Sequence, residues 1–101
     1  MKVDTITEGG VDYEVHTDAD GTRSWYVNGQ LHRLDGPAVE YADGTRVWNV
    51  NGQRHRLDGP AYEGADGTRE WYVNGQHVDC QSVDDPAFKR AVLKYLQEQM
   101  R

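Results

Sequence analysis

Ala42-Asp43-Gly44-Thr45-Arg46-Val47-Trp48-Asn49-Val50-Asn51-Gly52-Gln53-Arg54-His55-Arg56-Leu57-Asp58-Gly59-Pro60-Ala61-Tyr62-Glu63-Gly64 is one unit of a 23-residue repeat. Residues 19–41 match it at 18 of 23 positions, and 65–77 match the start of 19–41 at 11 of 13, after which the pattern stops. The shared wording is ADGTR-x-W-x-VNGQ-x-HRLDGPA-x-E. Val11 to Asp18 occupies the place of a preceding copy's second half but has lost the motif. About two and a half units with worn ends are what a stacked array shows, because its terminal units face water.

Each unit carries Asp-Gly, Asn-Gly and a second Asp-Gly before Pro, strong turn signals between short runs rich in Val, Trp and Tyr. Strands are expected near 11–17, 22–28, 38–42, 45–51, 61–64 and 68–74. If Ala42-Asp43-Gly44 is a three-residue hairpin loop with Gly at positive φ, Tyr41 opposes Thr45, Glu40 opposes Arg46 and Ala38 opposes Trp48. That register puts the invariant Ala38, Glu40, Arg46, Trp48 and Val50 on one face and the drifting positions 39, 41, 47 and 49 on the other. A two-residue loop would mix both sets on both faces, so the longer loop is favoured. The invariant face is expected inside, with Ala38 leaving room for Trp48 and Glu40 pairing with Arg46 across strands; Trp25 and Trp71 repeat the arrangement.

The expected fold is mainly β: a single-layer antiparallel meander of β-hairpin repeats over 1–78, followed by a capping helix within 79–101 on the same domain. Asp84-Asp85-Pro86-Ala87-Phe88 supplies an acidic N-cap and a first-turn proline. Phe88, Ala91, Val92, Tyr95, Leu96 and Met100 follow at helical spacing, with Lys89, Arg90, Lys94 and Glu98 mostly opposite. The alternative is a β-solenoid with one coil per repeat.

His32-Arg33-Leu34-Asp35 and its copy His55-Arg56-Leu57-Asp58 hold residue types used in acid–base chemistry. Their duplication argues against catalysis, because one active site needs different groups converging on one point. The plainer expectation is that each His donates to a turn carbonyl, Asp35 caps its corner, and Arg33 is paired or solvated. In a meander His32 and His55 lie two strands apart, roughly 10 Å, too far to share a metal. In a solenoid they would stack about 4.8 Å apart. With the meander preferred, no catalytic residue, cofactor or metal is expected.

Eleven basic against seventeen acidic residues leave a net charge of −6, with 37% hydrophobic residues. This balance weighs against nucleic acid as a partner, since phosphate neutralisation dominates such binding. No apolar run is long enough to span a membrane and none at the start resembles a leader. Cys80 is the single cysteine. A cytoplasmic protein is expected, and homo-oligomerisation with it, because a thin sheet leaves edges open.

Trp48-x-x-x-Gly52-x-x-His55, then Gly59, Tyr62 and Asp66-Gly67 before Trp71, resembles MORN-type repeats. The fuller wording is similar to repeat proteins of bacteriophages and large DNA viruses. The resemblance implies single-layer hairpin sheets and a binding or assembly role. Functionally it implies a non-enzymatic protein-binding module, encoded by a phage and acting in the host cytoplasm on a host protein of defence or nucleic-acid handling. Tyr26, Tyr41, Asn49, Tyr62 and Tyr72 are the candidate contact residues, since tyrosine supplies rigid contact area at low entropic cost. The alternative, from another class, is an oligomeric sponge for an anionic nucleotide signal, with Trp25, Trp48 or Trp71 stacking a base and Arg33 or Arg56 holding phosphate.

Overall fold

The computed structural model describes residues 1–100. The three Asn-Gly pairs set the hairpins: Asn28, Asn51 and Asn74 lie at φ 52–53°, and the following glycines at 78–81°. Positive φ at both central residues is the primed turn whose twist matches that of its strands. In chain order the strands are β1 (Lys2–Glu8), β2 (Val11–Thr17), β3 (Arg23–Val27), β4 (Gln30–Leu31), β5 (Val39–Glu40), β6 (Arg46–Val47), β7 (Asn49–Val50), β8 (Gln53–Arg54), β9 (Tyr62–Glu63), β10 (Arg69–Val73) and β11 (Gln76–Val78), followed by helix α1 (Pro86–Gln99).

The main sheet runs β1-β2-β3-β5-β6-β9-β10-β11 with every pairing antiparallel; β4 joins β3, and β7 pairs with β8. Neighbours in space follow neighbours in sequence and the sheet is not closed, so the fold is a single-layer meander rather than a solenoid. The molecule is a slab of 41 × 36 × 18 Å, the short dimension being that of one sheet with side chains and a helix on it.

The expected hairpin register is the observed one. Glu40 opposes Arg46 and Val39 opposes Val47, Tyr41 N–H donates to Thr45 O, and Gly44 has φ 96°. In each copy of this turn the Asp side chain accepts the N–H of the Thr two residues on: Asp20 from Thr22, Asp43 from Thr45, Asp66 from Thr68. The buried Thr22 and Thr45 hydroxyls then accept the N–H of Ala42 and Ala65 in the next unit's turn. The invariant Asp and Thr thereby lock successive turns together.

The return strands are interrupted at one place. Trp25 N–H donates to Ala38 O and its carbonyl accepts from His32 N–H, so residues 33–37 loop out of the sheet between two residues that pair with the same tryptophan. Trp48 does the same with Ala61 and His55, expelling 56–60. The corner is thus 33–37, because Gln30 and Leu31 already pair with β3. Sequence reading also misses β1, β4, β8 and β11, which are too polar or too short to show an apolar run.

Side chains alternate as expected, but inside and outside do not follow. Across one face runs a charged row, Arg23–Glu40–Arg46–Glu63–Arg69, with the tryptophans one pleat away. On the opposite face the row His16–Ser24–Val39–Val47–Tyr62–Glu70 includes Val39 and Val47 at only 5% and 6% exposure. Trp48, by contrast, is half-buried and Arg46 exposed. A one-layer sheet has no single interior: Val39 and Val47, adjacent in the row, are hidden on the face opposite the tryptophans.

Two apolar clusters lie at the ends of the tryptophan face. Tyr13, Val15 and Trp25 form one; Trp71, Val73 and Phe88 form the other. Asp85 caps α1 by accepting the Ala87 N–H, and Phe88 meets the Trp71 ring edge-on at 4.9 Å. Ala91, Val92 and Tyr95 also pack on this cluster. Leu96 and Met100 do not: they are exposed, as is Leu93, because the contact face of α1 is centred on Phe88 and Tyr95. No helix among the described residues is long and apolar enough to cross a membrane.

Candidate interaction surface

The expelled corners explain the invariant Arg. Arg33 folds back so that its guanidinium carbon lies 3.7 Å from the Trp25 ring centre, and Arg56 lies 3.8 Å from that of Trp48. Arg33 donates through Nε and Nη2 to the two Glu8 carboxylate oxygens (3.0 and 2.9 Å), and through Nη1 to Pro37 O and Glu40. These hydrogen bonds hold the Glu8 carboxyl below its ordinary pKa and raise that of Arg33. Arg56 donates to Asp58 and Pro60 O, with Glu63 at 3.7 Å. Gly36 and Gly59 are needed for space: a Cβ would stand 3.0 Å from the Arg33 guanidinium and 2.7 Å from that of Arg56.

The histidines act differently from expectation. His32 Nδ1 accepts the Asn51 N–H at 3.0 Å and His55 Nδ1 accepts the Asn74 N–H at 2.8 Å. Each imidazole is an acceptor that braces the next unit's Asn-Gly turn, so the neutral tautomer with its proton on Nε2 is the one that fits. Burial lowers the His55 pKa. Asp58 accepts from Arg56, while Asp35 lies against Gly9 instead of capping its own corner. No cluster of metal ligands occurs among the described residues.

The nucleotide candidates separate. Trp25 and Trp71 are 3% and 5% exposed and offer no free ring face. Trp48 lines a cleft of about 790 Å³ between the two corners and Tyr95 of α1, which also reaches Arg33 and Arg56. Arg56 already occupies one face of the Trp48 ring.

The tyrosine candidates all lie on the opposite face or its margin, and the structure groups only some of them. Tyr62 and Tyr72 flank Arg54, whose guanidinium lies 5.4 and 5.3 Å from their ring centres and donates to Tyr72 Oη. Tyr26 sits apart, its ring 4.7 Å from that of His16. Tyr41 is exposed beside the Asp43-Gly44 turn. Asn49 requires correction: it is 6% exposed, and its Oδ1 has no partner among the described residues. It stands where the other copies have Tyr26 and Tyr72, and being shorter it is walled in. Arg54 is the member of this surface that sequence reading passed over; its signal was a cation at a drifting position between two tyrosine-bearing strands.

Helix α1 and both corners lie on the tryptophan side, through Phe88 on Trp71, Arg33 on Trp25 and Arg56 on Trp48. On the drifting side Val39, Val47 and Asn49 are buried, and the rings of Tyr26, Tyr62 and Tyr72 contact His16, Arg54 and His77 instead of the helix or the corners. No protein-family model, curated protein or solved structure matches the chain.

Proposed function

We propose that this chain is a non-enzymatic, MORN-like protein-binding module that presents the drifting face of its sheet to another protein. The observation that carries this reading is the asymmetry of the slab: arginine lids and a helix cover the tryptophan face, whereas among the described residues the side chains of Tyr26, Tyr62, Tyr72 and Arg54 contact neither the helix nor the corners. Interlocked turns and braced corners make that face rigid, so its side chains are held ready and little ordering entropy is lost on contact. The partner we propose is a host protein of defence or nucleic-acid handling, engaged by a phage-encoded chain in the host cytoplasm; this part rests on the sequence resemblance.

The test is affinity capture from host extract with wild type, Tyr62→Ala/Tyr72→Ala and, as a control on the other face, Leu34→Ser. The expected result is one host protein held by wild type and the control but lost by the double variant, whose melting temperature stays close to that of wild type. Retention by the double variant refutes the reading. The nucleotide alternative predicts a rise in melting temperature with added nucleotides, abolished in Arg56→Ala.

A further inference from the structure

The two edges of the sheet differ. At one, β11 has three residues, after which the chain leaves for α1, which packs against β10 and β11. At the other, β1 has seven residues, all paired in unbroken register with β2, from Lys2 opposite Thr17 to Glu8 opposite Val11. Strand β1 has no proline and no bulge, and its outer backbone groups have no strand partner among the described residues. Folds normally blunt such an edge by shortening, twisting or covering it. Strand β11 shows two of these devices; β1 carries only charged side chains, Lys2, Asp4 and Glu8, which can pair as well as repel.

We infer that β1 is a dimer interface, pairing antiparallel with β1 of a second copy about a two-fold axis at Thr5. Antiparallel pairing of identical edges requires the axis to stand perpendicular to the sheet, so residues opposite one another lie on the same face and their numbers sum to an even value. Centring on Asp4 sets two Asp4 carboxylates opposite each other, and centring on Ile6 sets Asp4 opposite Glu8; both oppose like charges. Centring on Thr5 pairs all seven residues. Lys2 then meets Glu8 of the second copy, Val3 meets Thr7 and Asp4 meets Ile6, each twice by symmetry, and Thr5 meets its own mate, with no like charges opposed. Lys2 is well exposed and pairs only loosely with the half-buried Asp4, at 3.7 Å, so the ammonium is free to join the Glu8–Arg33 pair of the other copy. With one long edge and one short one, the association closes as a dimer instead of growing into a fibre. The product is one continuous sheet with two drifting faces side by side, able to bind its partner bivalently.

Light scattering across a concentration series tests this. Wild type is expected at about 23 kDa, twice the 11.5 kDa of one chain. Thr5→Lys brings two ammonium groups together at the axis but faces Glu14 within its own sheet, so it is expected to run as a monomer that still folds, with a cooperative melting transition that no longer depends on concentration. In a Cys80→Ser background, Thr5→Cys is expected to form a disulfide-linked dimer on oxidation and Val3→Cys is not, since only position 5 meets itself. A wild-type monomer at the highest soluble concentration, a dimer that survives Thr5→Lys, or crosslinking through position 3 in preference to position 5 overturns the inference. None of these outcomes depends on whether a host protein binds the drifting face.

Discussion

The covers over Trp25 and Trp71 are made from different material. Both indoles lie in the same strand context one pleat from the charged row, and both are almost fully buried. Trp25 is covered by Arg33, a cation held on the ring by Glu8. In the third copy the residue at the Arg position is Asp79, and Val78 stands where His32 and His55 would be. The cover there is Phe88, delivered by α1. The contrast teaches what the helix is for: each internal unit roofs its own tryptophan with its corner, and where the repeat runs out a helix supplies an apolar roof instead. Trp48 lies between these cases, roofed by Arg56 through a looser ion-pair set and only half-buried.

Breaking the apolar roof should cost most. Phe88→Ala removes a fully buried ring from the smaller of two contact partners and is expected to lose about 3–5 kcal/mol. Urea denaturation should show this together with detachment of α1, seen as exposed Trp71 fluorescence. The cationic roofs should rank below it and unequally. Arg33→Ala leaves Glu8 partly buried without its bidentate partner, an expected loss of about 2–3 kcal/mol. Arg56→Ala releases the exposed Asp58 into water, and about 1 kcal/mol is expected. Equal losses at the two sites would show that the tryptophan contact, not the ion pair, dominates.

The two histidine braces sharpen the comparison further. Because burial lowers the folded pKa of His55, the unfolded chain takes up the proton first as pH falls below about 6.5. The contribution is therefore intact above that value, shrinks as pH falls toward the folded pKa, and is constant below it. Protonation would also turn Nδ1 into a donor facing the Asn74 N–H. His55→Asn keeps an acceptor without titrating, so its stability should change less between about pH 7.5 and 5.5 than that of wild type, as read from denaturation midpoints. The smallest effect is expected at Asn49, where →Val removes a buried acceptor with no partner and should stabilise by about 0.5–1 kcal/mol in the same measurement.

Much of the architecture was legible in the residues. The period, the Asn-Gly hairpins, the Glu40–Arg46 register and the start of α1 all follow from local chemistry, since positive φ at glycine and asparagine and an acidic N-cap before proline act within a few residues. The candidate surface was legible only as an alternation of faces. Val39, Val47 and Asn49 look outward by parity, yet they are hidden, because their accessibility depends on side chains brought alongside from other strands. Arg33 looked paired or solvated; that its partner is Glu8, 25 residues earlier, has no sequence signature.

Residue order alone was therefore enough for the unit, its turns, the Glu40–Arg46 register and the division of side chains into two faces, because each is set by backbone preferences over short spans. It took the folded chain to settle which face carries the helix and the arginine roofs, that the expelled corners fold over their own tryptophans, and that among the described residues β1 is a long edge with no strand beyond it. Those outcomes depend on which distant groups meet across strands, and in a layer one sheet thick every such meeting hides one side chain and exposes another.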